Sequence, residues 1–339
     1  MVTIKDIARL ANVSPSTVSI ILNGKTKQRK ISEETEKKVL KIIAETGYKQ
    51  NVQASNLRTS RNTSLYRIMI FWIADSRAQY MLRFFRSIEN YIMEQNISCE
   101  VLLRPYKLNQ LEKSLTEDLI LSCHGIIVCN ASETDLEWLE QKDIFKPLVL
   151  YNRYSSKYAA VTMDDQSIGT IPAQIFASIH RKHPLMIASP ATFNGMNIRM
   201  NLFSYTCIEN NMPQPLIYYT SDTHKGGYEI TKTALAEHPE TDCILYSSDI
   251  LTIGSLRALA ELKIKIPEDI SIISIGTDLK EICETSYPSI SVVYLPIEEM
   301  ATNCMDMLYH LMAYQELPHQ TLQLPIQYIP RESCPENHL

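Results

Sequence analysis

Apolar positions recur at Ile4, Ile7, Ala8 and Ala11, the spacing of one face of a helix. Asn12 stands where that face stops, and asparagine tolerates the left-handed backbone of a sharp turn. Ser14 fits the N-cap and Pro15 the first position of a second helix reaching about Leu22, with Val18, Ile21 and Leu22 as its buried side. A third helix is expected after Ser32 as cap, with Glu33 and Glu34 in its first turn, Val39, Leu40, Ile42 and Ile43 on its apolar side, and Gly47 as its stop. Two helices across so tight a turn form a helix-turn-helix, whose second helix can lie in the DNA major groove. An ordinary helical hairpin fits the periodicity as well.

The stretch Lys49 to Thr63 is polar except for Val52, Ala54 and Leu57, so alone it makes a poor helix and reads as a linker. From Leu65 to about Pro330 short apolar runs alternate with amphipathic stretches. Strands are expected at Tyr66–Ile73, Ser98–Leu103, Gly125–Cys129, Pro147–Tyr151, Ala160–Met163, Leu185–Ala188, Pro215–Tyr219, Cys243–Tyr246 and Ile270–Ile275. Helices are expected at Tyr80–Met93, Leu108–Ser122, from Ser167, and at Ile198–Asn210, Lys225–Ala236 and Ile250–Leu262. Repeated strand–helix units define an α/β body of doubly wound parallel sheets behind a small all-α head. Ligands of such sheets bind beyond the carboxyl ends of the strands.

A length of 339 residues calls for two or three domains, and 45 % hydrophobic with 21 % charged residues is an ordinary globular composition. No apolar run approaches the roughly 18 residues of a membrane span. Lys5, Asp6 and Arg9 sit within a helical pattern rather than ahead of an apolar core, so no signal peptide is expected and the protein is placed in the cytoplasm. The eight cysteines show no CxxC and no Cys/His ligand spacing, which favours buried free thiols over disulfides or a zinc site. The net charge of −5 divides unevenly. Residues 1–62 hold about 12 Lys and Arg against 5 Asp and Glu, or +7, which leaves −12 on the rest. A basic head on an acidic body suits binding to phosphate. The basic loop Gly24–Lys30 between the second and third helices fits phosphate contact, or a solvated linker.

Candidate ligand residues stand where strands should end: Asp75 and Tyr80 after the first strand, then Asn152 and Arg153, Asp164, Ser248 with Asp249, and Asp278. Hydroxyl and carboxylate groups gathered at strand ends suit a polyol, whose hydroxyls both donate and accept. Taken singly, each also reads as a helix cap or loop residue, Asp165 and Asp249 especially. There is no P-loop, GxSxG, HExxH or GxGxxG, and the histidines form no ligand pattern, so neither an enzyme nor a bound cofactor or metal is expected.

The residues Thr3-Ile4, Asp6-Ile7-Ala8, Ala11, Val13-Ser14, Thr17-Val18-Ser19 and Leu22-Asn23 resemble the opening signature of the lac repressor/gal repressor (LacI/GalR) family. The resemblance implies a head at residues 1–48, a hinge at 49–63 and a two-lobed, periplasmic-binding-protein-like body at 64–332. One lobe would hold about 64–164 and 295–320, the other 165–294 and 321–332. It further implies a hinge helix formed on DNA, with Ala54 at the close-packing position and Leu57 wedged into the minor groove. Gln50 stands where many relatives have proline. Pro15, Ser16 and Ile20 are placed to touch bases, and Ile20 replaces a frequent arginine, so a thymine methyl suits it better than guanine. The remaining DNA-facing set is Thr3, Ser14, Thr17, Ser19, Asn23, Tyr48 and Asn51.

In the body, Val161–Asp165 with Gly169 resembles the first crossover, Asn197–Phe203 puts the family's effector arginine at Arg199, and Ile275–Asp278 matches a motif whose aspartate binds effector hydroxyls. Leu202 replaces a usual glycine, and Ser248 a usual asparagine. The implied function is a transcriptional repressor acting as a homodimer on a near-palindromic duplex operator. A small polar effector, a sugar or sugar phosphate between the lobes, would control it, with no membrane partner. A phosphorylated carrier protein of sugar uptake, docking on Arg77–Arg86, is the alternative signal. The chain's last residues, Arg331–Leu339, are too few for a tetramerising heptad helix, which favours a dimer.

Overall fold

The computed structural model describes residues 4–22, 26, 31–46, 65–74, 80–191, 193–276, 280–314 and 321–335. Three helices make the head: α1 (Ile4–Ala11), α2 (Pro15–Leu22) and α3 (Glu33–Thr46). Asn12 takes the turn with φ 56°, as its left-handed tolerance predicts. The Ser14 hydroxyl caps α2 by accepting from Thr17 N–H at 3.0 Å, and Ser32 caps α3 through Thr35 N–H at 3.3 Å. The apolar faces close on one core of Ile7, Ala8, Ala11, Val18, Ile21 and Val39.

Beyond the head, the described elements are β1 (Tyr66–Ile73), α4 (Met81–Glu94), β2 (Cys99–Tyr106), α5 (Leu111–Ser114), α6 (Glu117–Ser122), β3 (Gly125–Cys129), α7 (Glu133–Glu140), β4 (Leu148–Tyr151) and β5 (Ala159–Met163). There follow α8 (Asp165–Ser178), β6 (Pro184–Ala188), α9 (Asn194–Glu209), β7 (Leu216–Tyr219), α10 (His224–Glu237), β8 (Cys243–Tyr246), α11 (Asp249–Glu261) and β9 (Ser271–Gly276). The last are α12 (Lys280–Thr285), β10 (Ser291–Tyr294), α13 (Ile297–Tyr314), β11 (Thr321–Leu324) and β12 (Gln327–Ile329).

The chain divides into two compact units, Met1–Val161 with Ala301–Thr321 and Thr162–Met300 with Leu322–Leu339, so it passes from one to the other three times. One sheet has the order β11-β5-β4-β3-β1-β2, and its pairs from β2 to β5 are parallel. The second sheet runs β12-β10-β9-β8-β6-β7, parallel except for the antiparallel edge pair β10–β12. Both orders reverse direction once, between β1 and β3 and between β6 and β8, and a doubly wound sheet offers a ligand crevice at such a switch point. Strands β3, β4, β6, β8 and β9 are buried along their whole length, which is why the first four read as unbroken apolar runs; β9 buries Ser271 and Ser274 among its isoleucines.

The expected helix Leu108–Ser122 is two short ones. Leu115, buried, and Thr116 leave the helical region (ψ 75° and 158°), and the Asp135 carboxylate pins the start of α5 by accepting from Asn109 and Leu111 N–H at 3.1 and 2.9 Å. Helices α7 and α13 extend the expected series. In the second unit, α10 and α11 are drawn together by paired glycines. A Cβ on Gly227 would lie 2.2 Å from the Leu251 carbonyl oxygen, and one on Gly254 would lie 2.0 Å from that of His224. All eight cysteines are unpaired, and every one but the half-buried Cys99 is buried. Burial pushes the Cys123 and Cys207 thiols up to about 11 and about 12, so they are inert packing groups.

Candidate functional site

On the head, Pro15 and Ser16 are exposed, Thr17 and Ile20 are half-buried, and Ser19 lies one residue before Ile20 on α2. The helix carries no charged side chain. Ser14 is exposed, and its hydroxyl already caps α2 and sits 2.9 Å from that of Thr17. The candidates Thr3, Asn23, Tyr48, Asn51, Ala54 and Leu57, and the ligand candidates Asp75 and Asp278, lie outside the described residues.

At the strand ends of the first unit, β3 and β4 each finish on a left-handed asparagine, Asn130 (φ 56°) and Asn152 (φ 58°). Their amides meet, the Asn152 side chain donating to Asn130 Oδ1 at 3.4 Å. Arg153 is buried, and its guanidinium donates to the main-chain carbonyls of Ala131 and Asn152. It therefore ties the end of β4 to the residue following Asn130. Tyr80 is half-buried immediately before α4. Asn130 was not among the sequence candidates, and an asparagine after an apolar run was its available signal.

The strand ends of the second unit rearrange the expected roles. Asp164, expected to face a ligand, is the N-cap of α8: its carboxylate accepts from Gln166 and Ser167 N–H at 3.1 and 3.2 Å, and from the Ser167 hydroxyl at 2.5 Å. Asp165, read as a cap, instead meets Arg199. Nε and Nη2 of Arg199 lie 2.7 and 2.6 Å from Asp165 Oδ1, and Nη2 is 3.3 Å from Met163 Sδ. The Arg199 guanidinium lies 5.5 Å from the centre of the Phe193 ring. The Asp165 carboxylate rests on the first turn of α9, so close that a Cβ on Gly195 would be 2.3 Å from its Oδ2, and the positive end of a helix favours a carboxylate there.

Ser248 likewise caps α11, accepting from Leu251 N–H at 3.3 Å and donating to Asp222 at 2.5 Å; the cap expected at Asp249 sits one residue earlier. Asp249 is buried against Gly276 at the end of β9. The neighbouring Ser247, which sequence reasoning passed over, lines a small pocket with Met186, Ala188, Ser189, Met196, Arg199, Met200 and Ile275. Its hydroxyl accepts from Ser189 N–H at 3.1 Å. The pocket lies at the carboxyl ends of β6, β8 and β9 beside the first turns of α9, which is the switch point of this sheet. Among the described residues no three His, Cys, Asp or Glu side chains gather as metal ligands, and no helix is long and apolar enough to cross a membrane.

A helix-turn-helix head on a doubly wound body with a strand-end pocket is the build of a transcriptional regulator. Comparison with known proteins makes this specific. Residues 3–51 match the model of bacterial regulatory proteins of the lacI family, and residues 174–334 match that of the periplasmic binding protein-like domain. The chain is 28 % identical to the HTH-type transcriptional regulator GalR of Streptococcus thermophilus, covering 95 % of this chain and 96 % of that one. It is 25 % identical to the ribose operon repressor of Lactococcus lactis, covering 98 % of each. Among solved structures it resembles a LacI family transcription regulator from Clostridium acetobutylicum, with 26 % identity and a TM-score of 0.74 over 78 % of this chain and 99 % of that one. In its head the chain matches the lacI family of bacterial regulatory proteins, and over nearly its whole length it is similar to regulators of that kind. It is a DNA-binding transcriptional regulator and not an enzyme.

Proposed function

We propose that the protein is a repressor that binds a near-palindromic operator as a homodimer and releases or grips it according to a small polar effector, a carbohydrate, taken up at the strand-end pocket. The observation that carries the DNA half is the capped α2 with Pro15 and Ser16 exposed at its start. A helix in this motif places its N-terminal residues against base edges. Ile20, lacking any donor, suits a thymine methyl. Thr3, Ser14, Thr17, Ser19, Asn23, Tyr48 and Asn51 are proposed as flanking contacts, and Leu57 with Ala54 as a minor-groove wedge.

The effector half rests on the pocket at the switch point of the second sheet, where Arg199 and Ser247 supply polar groups beside methionines. Several relatives are named as repressors of sugar operons, and solved neighbours include regulators with bound ribose and cellobiose. Footprinting of the full chain on the DNA around its own gene is expected to protect one short palindrome, and Leu57→Ala to weaken it. Absence of any protected palindrome would remove the repressor reading. Unchanged affinity in the variant would remove the wedge.

A further inference from the structure

Arginine grips a phosphate or carboxylate with two parallel N–H groups. The Nε–Nη2 edge of Arg199 is already turned onto Asp165, at 2.7 and 2.6 Å. Both side chains are largely sheltered, 11 % and 24 % exposed, so solvent screens the pair weakly. The other Nη2 hydrogen reaches Met163 Sδ at 3.3 Å, which spends the end-on fork as well and leaves the Nη1 N–H groups as single donors, a fit to a hydroxyl. The surrounding charge points the same way. Asp249 is buried on Gly276, and Asp222 accepts from Ser248 at the same end of the sheet. The nearby Lys225, at the start of α10, is 81 % exposed and lies 3.6 Å from Glu229. The rest of the lining is soft: Met186, Met196 and Met200, with Ser189 and Ser247 as the small polar groups.

Resting on the reading of this pocket as the effector site, we infer that it takes an uncharged polyhydroxylated ligand and rejects the phosphorylated or carboxylated form of the same sugar, with Asp165 as the residue that sets this choice. A sugar phosphate would bring about two negative charges to a cation whose paired edge is occupied by a carboxylate. Asp165 thus positions Arg199 for a hydroxyl and screens its charge from anions.

The test is thermal melting of the full chain, since a ligand that binds the native state raises the midpoint. Ribose, galactose and cellobiose are compared with ribose 5-phosphate, galactose 1-phosphate and galacturonate. Inorganic phosphate at matched ionic strength is tried on the wild type, Asp165→Asn and the double variant Asp165→Asn/Arg199→Met. The expected result is a shift with at least one neutral sugar, at least about tenfold tighter than its charged form. Phosphate is expected to leave the wild type unmoved, to stabilise Asp165→Asn, and to lose that effect in the double variant. A wild type that prefers the charged sugar, or responds to phosphate, overturns the inference and leaves the small-molecule reading standing. A wild type deaf to every sugar overturns the small-molecule reading instead. The phosphate response of Asp165→Asn then decides the role of Asp165 alone, and its absence defeats it. The wild-type comparison requires no variant to fold.

Discussion

Ile20 and Ile21 are neighbours on α2 with different burial, and replacing each by alanine separates the proposed DNA contact from the core of the head. Ile21 is 1 % exposed among Ile7, Ala8, Ala11, Val18 and Val39, whereas Ile20 is half-buried. Truncating a buried isoleucine to alanine costs about 2–5 kcal/mol. A single core in a domain below about 70 residues rarely supplies more than about 3–5 kcal/mol. The two ranges overlap, so Ile21→Ala takes away most of what holds the head together. A loss of about 3 kcal/mol lowers the folding constant by about two powers of ten. The apparent operator affinity falls by the folded fraction of the head, since an unfolded head reads nothing. Fluorescence anisotropy on a labelled operator, with circular dichroism of the same samples, is the assay. Ile21→Ala is expected to lose the head's helical signal and operator binding at clearly lower denaturant than wild type, while effector-induced stabilisation of the body persists. Ile20→Ala is expected to keep the helical signal and change affinity at one base pair of each half-site. An Ile21→Ala protein whose head unfolds at the same denaturant midpoint as wild type would refute the assignment of Ile21 to the buried core of the head.

The adjacent serines give a second separation. Ser248→Ala removes the cap of α11 and should cost about 1 kcal/mol, seen as a fall of about 2–4 °C in the midpoint with effector affinity kept, while Ser247→Ala should weaken effector binding in calorimetry with a smaller change in melting. Gly254→Ala forces a Cβ to within 2.0 Å of the His224 carbonyl oxygen, so α10 and α11 must part; a loss of about 1–3 kcal/mol is expected in chemical denaturation, and an unchanged midpoint would contradict the close contact. Glu261 is held down to about 2 by hydrogen bonds from Arg257, Tyr228 and Lys232. Its folded value lies below the ordinary 4.5, so its contribution is complete above pH 4.5 and is lost as pH falls toward 2; Glu261→Gln should flatten the acid limb of the stability profile in that window.

Much of the architecture could be read from the chain because its strands are buried on both faces. A run such as Gly125–Cys129 or Cys243–Tyr246 has no polar alternation to confuse its period, and each stands between turn residues. The break inside 108–122 was hidden because its cause is remote. The Asp135 carboxylate, some twenty residues on, fixes where α5 starts, and Leu115 turns inward to a core that local periodicity does not contain. Glycine at close contacts was equally illegible. The family glycine absent at Leu202 has a counterpart across the contact, where a Cβ on Gly169 of α8 would lie 2.5 Å from the Arg199 carbonyl oxygen and 3.0 Å from Leu202 Cβ.

The two misplaced caps share one physical origin, an uncertainty of a single residue in where a helix begins. At a strand-to-helix junction the last extended residue turns its side chain back to cap the helix, and the next one projects from the first turn. Asp164 and Asp165 have the same chemistry, as do Ser247 and Ser248, so composition cannot say which of each pair caps. The backbone decides it. Helix α8 starts at Asp165, which makes Asp164 the cap and sends Asp165 to Arg199; helix α11 starts at Asp249, which makes Ser248 the cap and leaves Ser247 to the pocket. Had α8 begun one residue earlier, Asp164 would stand at the first helical position and Asp165 at the second, and neither would have its present partner. The charge that Arg199 offers a ligand therefore depends on a helix boundary, which is the feature of a fold that sequence periodicity determines least.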